Sequence, residues 1–212
     1  MWRIVLLLKG NPKNHSLLRF ELQVKSQGYR KIGGVDEVGR GCLAGPVVAA
    51  CVILPWEIES FPGVFDSKQL TPLQRENCFD LILEKAIGYG VGFVEAEEID
   101  QVNILQASLK AMVLAIQSAS EKPDFLLVDG REKISTSIPQ QTVIKGDTLS
   151  LSIAAAPIVA KVTRDRLMTR FAQEFPQFGF EKHKGYGTEE HFKALKEYGP
   201  TAIHRLSFKG VV

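Results

Sequence analysis

The chain has 212 residues, 45% apolar and 24% charged, a length and balance that suit one substantial globular domain and leave little room for two. Its three cysteines, Cys42, Cys51 and Cys78, are odd in number, lack CxxC spacing and have no histidine nearby, which excludes a disulfide framework and a zinc site and leaves them as small buried hydrophobes in a reducing compartment. The net charge of +2 is unevenly spread: residues 1–31 hold seven Lys/Arg against Glu21 alone, a basic N-terminal arm, which leaves the domain over 32–212 at about −4.

Within that arm, Met1-Trp2-Arg3-Ile4-Val5-Leu6-Leu7-Leu8-Lys9 carries five consecutive aliphatics, too few for a signal-peptide core, and no small-residue cleavage pattern follows. Nothing approaches a membrane span, so a cytoplasmic location is expected. Residues 32–46 then read Ile32-Gly33-Gly34-Val35-Asp36-Glu37-Val38-Gly39-Arg40-Gly41-Cys42-Leu43-Ala44-Gly45-Pro46, an apolar strand start that ends in two adjacent acids and a glycine-flanked arginine. Neighbouring strand side chains point to opposite faces, so Asp36 and Glu37 serve one site only if a cation sits between strand and loop. A divalent metal is the obvious candidate. Gly39 and Gly41 let backbone amides come close to a phosphate, and Arg40 adds a guanidinium.

Val47 to Leu54 is a near-continuous apolar run closed by Pro55, suited to a central strand covered on both faces. Thr71, Pro72 and Gln74 form a capping-box start for a helix running to about Glu84. Residues 87–95 alternate glycine with larger apolar side chains, a strand with one very thin face against which a backbone, a helix or a ligand packs closely. A helix is predicted at about 101–119, its stripe formed by Ile104, Leu105, Leu109, Met112, Val113 and Ile116. Phe125 to Asp129 and about Gln141 to Ile144 read as further strands. From Leu151 to about Phe175 the period is helical, with Pro157 inside it, so the helix starts at the proline or is kinked there. A short helix follows from about Glu189 to Glu197. Strands and helices in this order predict a mixed sheet flanked by helices.

Four acids, Asp36, Glu37, Asp129 and Asp147, fall at or just beyond the ends of apolar runs, where α/β sheets place their sites. One such acid is a turn former or a helix cap on its own; four are harder to dismiss. Gathered at one sheet edge they would repel one another unless hard cations such as Mg²⁺ or Mn²⁺ lie between them. Two ions so held activate a water and stabilise a leaving oxygen, which is the chemistry of phosphodiester hydrolysis.

Gly34-Val35-Asp36-Glu37-Val38-Gly39-Arg40-Gly41 resembles the signature of ribonuclease HII, the type 2 ribonuclease H family. Asp66-Ser67-Lys68, Val128-Asp129-Gly130, Lys145-Gly146-Asp147, Ala160-Lys161-Val162-Thr163-Arg164-Asp165 and His183-Lys184-Gly185-Tyr186 resemble further blocks in the same order, covering about residues 20 to 209. The resemblance implies an α/β, ribonuclease H-like fold: a mixed central sheet of about five strands, flanking helices and a C-terminal helical portion. It also implies a metal-dependent endoribonuclease that cuts the RNA strand of RNA–DNA hybrids and nicks 5′ of ribonucleotides embedded in duplex DNA. Asp36, Glu37, Asp129 and Asp147 match the family's metal-binding acids, with two Mg²⁺ or Mn²⁺ ions at work. Gly39, Arg40 and Gly41 match the loop that senses the ribose 2′-hydroxyl, and Tyr186 matches the tyrosine that stacks at the RNA–DNA junction. A monomer is expected.

Lys68, just before the capped helix, suits a contact to backbone phosphate, with a solvated surface lysine as the alternative, and Lys145, beside Asp147, either neutralises backbone charge in the same way or bridges the acids. Arg164 and Asp165 read as an exposed helix ion pair. His183 is placed as a support for the loop holding Tyr186, and His204-Arg205 as packing or touching backbone. Pro157 stands where the family commonly has serine, removing a hydroxyl and a backbone donor. The alternatives weighed are a ribonuclease HIII-like hybrid nuclease, which would carry a large extra N-terminal domain, and a non-catalytic hybrid-binding module.

Overall fold

In a computed structural model of the protein, residues 17–56 and 70–212 are described. Lys68 and the first half of the basic arm lie outside the described residues. Five strands, β1 (Ile32–Val38), β2 (Val47–Ile53), β3 (Gly88–Val94), β4 (Phe125–Asp129) and β5 (Gln140–Val143), form one mixed sheet in the order β3-β2-β1-β4-β5. β1 pairs antiparallel with β2, and β2 with β3, while β1, β4 and β5 run parallel. The helices are α1 (Arg19–Ser26), α2 (Pro72–Lys85), α3 (Ala96–Val102), α4 (Ile104–Ser118), α5 (Leu151–Glu174), α6 (Phe180–His183) and α7 (Glu189–Tyr198).

The unbroken apolar run of β2 is explained by burial on both sides. Val48, Ala50 and Val52 pack with Phe79 and Ile82 of α2 and with Ala155 and Val159 of α5. Val47, Ala49 and Cys51 face Ala107, Ala111 and Ala115 of α4. The thin face of β3 belongs to this second layer: a Cβ on Gly92 would lie 2.1 Å from the Ala111 carbonyl oxygen, and one on Gly90 2.3 Å from that of Ala115. The glycines thus let a helix backbone rest on the strand, as the alternating pattern predicts. On the other face, a Cβ on Gly34 would lie 2.0 Å from the carbonyl carbon of Ser152, so β1 and the start of α5 touch backbone to backbone.

Three local readings change. The predicted helix over 101–119 is two helices broken at Asn103, whose φ of 71° turns the chain and whose Oδ1 accepts from the N–H groups of Leu105 and Gln106 to cap α4. Helix α5 starts at Leu151 and runs through Pro157, its N-terminus capped by the Ser150 hydroxyl. The described part of the basic arm packs on the domain. Val24 of α1 is buried with Ile32, Leu127 and Ile153, and the buried Glu21 accepts from the Ser150 hydroxyl at 2.6 Å and the Ser152 N–H at 2.9 Å. The capping box at Thr71 forms as predicted.

Beyond the sheet, Phe178, Phe180, Ala194, Leu195 and Val211 close over Leu43, Ala44 and Met168. This C-terminal helical portion grips the segment that leaves β1.

Candidate active site

Asp36 and Asp129 stand side by side because β1 and β4 run parallel with Val35 opposite Val128, so both chains reach their carboxyl ends together. Beyond β5, Lys145 adopts a left-handed φ of 57° and opens a 3-10 turn that carries Asp147. The N–H of Gly146 donates to Asp129 Oδ1 at 2.6 Å, locking that turn to the end of β4. A cleft of about 410 Å³ results, lined by Asp36, Glu37, Asp129, Asp147 and Tyr186, with Arg75, Pro157 and Lys161 on its further walls. All four acids singled out in the sequence meet there.

Asp36, Glu37 and Asp129 are each held by a hydrogen bond to one oxygen. Asp36 Oδ1 accepts from the N–H of Glu37 at 2.7 Å, and Glu37 Oε1 accepts from Arg40 Nη1 at 2.9 Å. Asp36 and Asp147 are 8% and 7% exposed, so water screens their charges poorly. Burial, then the carboxylates of Glu37, Asp129 and Asp147, push the Asp36 carboxyl well above the usual range. Asp129 is also raised, by burial above all, against the opposing Gly146 N–H. Among the described residues, no three acidic, histidine or cysteine side chains form a ready-made metal cage. The donor set nonetheless fits a hard divalent cation: every donor is a carboxylate oxygen, and such an ion would offset the repulsion that helps raise Asp36.

The loop after β1 is shaped from behind by two arginines. Gly39 turns with a φ of 85°, and a Cβ there would meet Arg164 Nε at 2.4 Å, so both backbone and packing require glycine. Arg164 is 1% exposed and donates to the carbonyls of Ala44, Pro46 and Lys184 at 2.8–3.0 Å. This overturns its reading as half of an exposed ion pair; Asp165 pairs instead with Lys161 at 2.7 Å, one helical turn back. Arg205, fully buried, donates to the carbonyls of Gly39, Arg40 and Gly45, the backbone role expected of the His204-Arg205 pair. No local signal marks an arginine as buried: both sit in polar-looking stretches, and only the tertiary fold brings carbonyls to them.

Tyr186, 44% exposed, stands on the cleft wall with Lys161 Nζ 5.6 Å above its ring. Its N–H donates to the His183 carbonyl, and the Gly185 N–H donates to His183 Nδ1, so His183 supports this loop as expected. The Leu43 N–H donates to the Gly185 carbonyl at 2.8 Å, fastening the tyrosine loop to the loop after β1. Lys145 is exposed and does not line the cleft, and Gly41 is exposed with open space around it. Arg75 and Lys161 are the cleft cations to which the sequence assigned no role; Lys161 was visible only within the Ala160–Asp165 block, and Arg75 carried no signal.

The family model described as ribonuclease HII matches residues 33–211. A ribonuclease HII of Geotalea uraniireducens is 57% identical over 196 residues, which cover 92% of this chain and 90% of that protein. A ribonuclease HII of Bacillus subtilis is 51% identical over 196 residues, covering 92% of this chain and 76% of that one. Among solved structures, ribonuclease H2 from Pyrococcus horikoshii OT3 superposes with a TM-score of 0.72 at 30% identity, over 86% of this chain and 95% of that one. A ribonuclease HIII solved with Mn²⁺ superposes at a TM-score of 0.65 but only 18% identity, a likeness of fold alone. With the family's sequence pattern running from the strand that carries the paired acids to the last turn of the chain, the protein belongs to the ribonuclease HII family, metal-dependent endoribonucleases that cut the RNA strand of RNA–DNA hybrids.

Proposed function

We propose that Asp36, Glu37, Asp129 and Asp147 are the catalytic acids and hold two divalent ions, Mg²⁺ or Mn²⁺, within a catalytic domain spanning 32–212. Bound there, such ions supply an activated water and stabilise the departing oxygen. One observation carries the reading: four carboxylates from three strand ends converge in a single cleft with an exposed tyrosine on its wall. The protein's own part is to hold them. The Glu37 N–H steers Asp36, the Gly146 N–H steers Asp129, and Arg40 steers Glu37 until a substrate competes for its guanidinium.

Substrate selection falls to the neighbouring loops. Gly39, Arg40 and Gly41 approach the ribose, whose 2′-hydroxyl separates RNA from DNA, and the Tyr186 ring stacks where RNA gives way to DNA. Lys145, exposed outside the cleft lining, contacts the phosphate backbone, as does Lys68, which lies outside the described residues. Lys161, held by Asp165, adds a phosphate contact on the side where Pro157 offers no hydroxyl or N–H. The 2′-hydroxyl is read and not consumed, so the product carries a 3′-hydroxyl and a 5′-phosphate, and a single ribonucleotide embedded in duplex DNA suffices as substrate. The basic residues of 1–31 add phosphate attraction alongside this domain. The protein acts as a monomer, and three buried free cysteines suit the reducing cytoplasm.

Nicking of duplex DNA with one ribonucleotide, in Mg²⁺ or in Mn²⁺, tests the assignment. Asp129→Asn keeps an Oδ1 to accept from Gly146 but loses the charge, and nicking should fall below detection. Retained nicking would remove Asp129 from the catalytic set.

A further inference from the structure

Arg205 and Arg164 are buried cations whose hydrogen-bond partners are backbone carbonyls. Among the described residues neither guanidinium reaches a carboxylate within ion-pair distance. A buried guanidinium is retained where its planar fork does something a neutral side chain cannot. Arg205 directs Nη2 to the Gly39 carbonyl at 2.7 Å and Nη1 to the Arg40 carbonyl at 2.8 Å, while Nε and Nη2 hold the Gly45 carbonyl at 3.0 and 2.9 Å.

The consequence lies in the planarity of the peptide bond. Gly39 C=O and Arg40 N–H belong to one trans peptide unit, as do Arg40 C=O and Gly41 N–H, and in such a unit the two groups point opposite ways. Two successive carbonyls drawn inward therefore send two successive N–H groups outward. Arg40 and Gly41 are exposed, and among the described residues neither amide has an acceptor in the protein. Arg40 and Gly41 follow Glu37 and Val38, which line the cleft, and the Arg40 side chain pairs with Glu37.

We infer that Arg205 is a specificity-determining positioning residue, which aims the Arg40 and Gly41 amides at the sugar so that a ribose hydroxyl can accept from them and a deoxyribose cannot. The inference rests on the proposed role of Gly39–Gly41. A site built to donate to an oxygen rejects a ligand that lacks it, because its donors are then desolvated without a partner. Arg205 itself touches no substrate; it holds the peptide planes.

The test measures the affinity of the metal-free full chain for an RNA–DNA hybrid and for a DNA duplex of the same sequence, with KM and kcat for the hybrid in Mg²⁺. Arg205→Lys keeps the charge, yet one ammonium cannot span the carbonyls of Gly39, Arg40 and Gly45. The preference for hybrid over DNA should fall about tenfold to a hundredfold, with KM rising more than kcat falls. Equal loss on both duplexes, or an unchanged preference, would show a merely structural arginine. Gly41→Pro removes one outward N–H without touching Arg205 and separates the two layers of the argument. If it keeps the wild-type preference, the Gly41 amide does not read the sugar and the inference as stated falls; if it loses the preference while Arg205→Lys keeps it, the loop reading stands and the role of Arg205 falls. Should Arg205→Lys not fold, the wild-type chain decides: the Arg40 and Gly41 amide resonances should move downfield with hybrid but not with DNA duplex, and identical shifts overturn the inference.

Discussion

Adding one methyl group at Gly34 should cost both stability and activity. The built Cβ lies 2.0 Å from the Ser152 carbonyl carbon, 2.1 Å from its oxygen and 2.4 Å from the Ile153 nitrogen. These are backbone atoms, so no rotamer change relieves the clash. Restoring ordinary contact near 3.4 Å requires α5 to retreat from β1 by on the order of 1.4 Å. Overpacking of this kind costs about 1–3 kcal/mol, and backbone against backbone belongs at the upper end. For a chain of this length, about 3 kcal/mol lowers Tm by roughly 6–12 °C. Activity should suffer independently, because Gly34 lies two residues before Asp36 and α5 carries Pro157 and Lys161 into the cleft. A misplacement of about 1 Å is enough to cost roughly a hundredfold in rate. Thermal melts of Gly34→Ala beside Gly41→Ala, where nothing lies within 4 Å of the added atom, supply the contrast. A Gly34→Ala protein that melts within about 2 °C of wild type and cleaves hybrid normally would refute the packing argument.

Asp36→Asn should abolish hybrid cleavage yet raise the Tm of the metal-free protein by a few degrees, about 1 kcal/mol, because it removes a buried charge repelled by three neighbours while Oδ1 still accepts from Glu37 N–H; a lower Tm would contradict the repulsion. Added Mg²⁺ should raise the Tm of wild type more than that of this variant, checked in the same melts. Stability should also fall in mild acid through His204, whose burial and facing His191 bring it down to about 4 from the ordinary 6.5. Between those values the unfolded chain takes up a proton that the native state refuses, so the loss occurs as pH falls from about 6.5 to about 4 and is bounded near 3 kcal/mol, less whatever solvent screens. Urea denaturation at pH 7 and pH 5 should show a smaller drop for His204→Gln than for wild type; parallel drops would dismiss the histidine.

The four cleft acids could be picked out in the sequence because each falls at or just beyond the end of an apolar run, and parallel strands deliver such ends to one edge of a sheet. The thin face of β3 was equally readable, since nothing but close packing keeps glycine at alternate strand positions. What escaped notice depends on partners distant in sequence. Arg164 stands on a helix beside an acid, the local pattern of a surface pair, and is buried because carbonyls at residues 44, 46 and 184 fold around it. Asn103 hides its break inside a continuous apolar stripe, for the stripe records burial and not backbone direction. Helix α1 looked like part of a charged arm because the surplus of Lys/Arg over acids in residues 1–31 masks the buried apolar side chains, Leu18 just before the helix and Val24 within it, that anchor it.

The placement of charge around the cleft has a physical logic that joins these features. A cluster of four carboxylates could have been neutralised by arginines within the protein, and such a cluster would have little remaining attraction for a divalent ion. Instead the two buried arginines are turned to carbonyls behind the loop, and Arg40, half-exposed, pairs with Glu37. The acids keep their repulsion, which a cation relieves on binding; the arginines put their charge into aligning peptide dipoles. The acid cluster and the loop built on buried arginines are therefore two sides of one arrangement, in which positive charge inside the fold sets the loop backbone and, on our proposal, positive charge from outside completes the site.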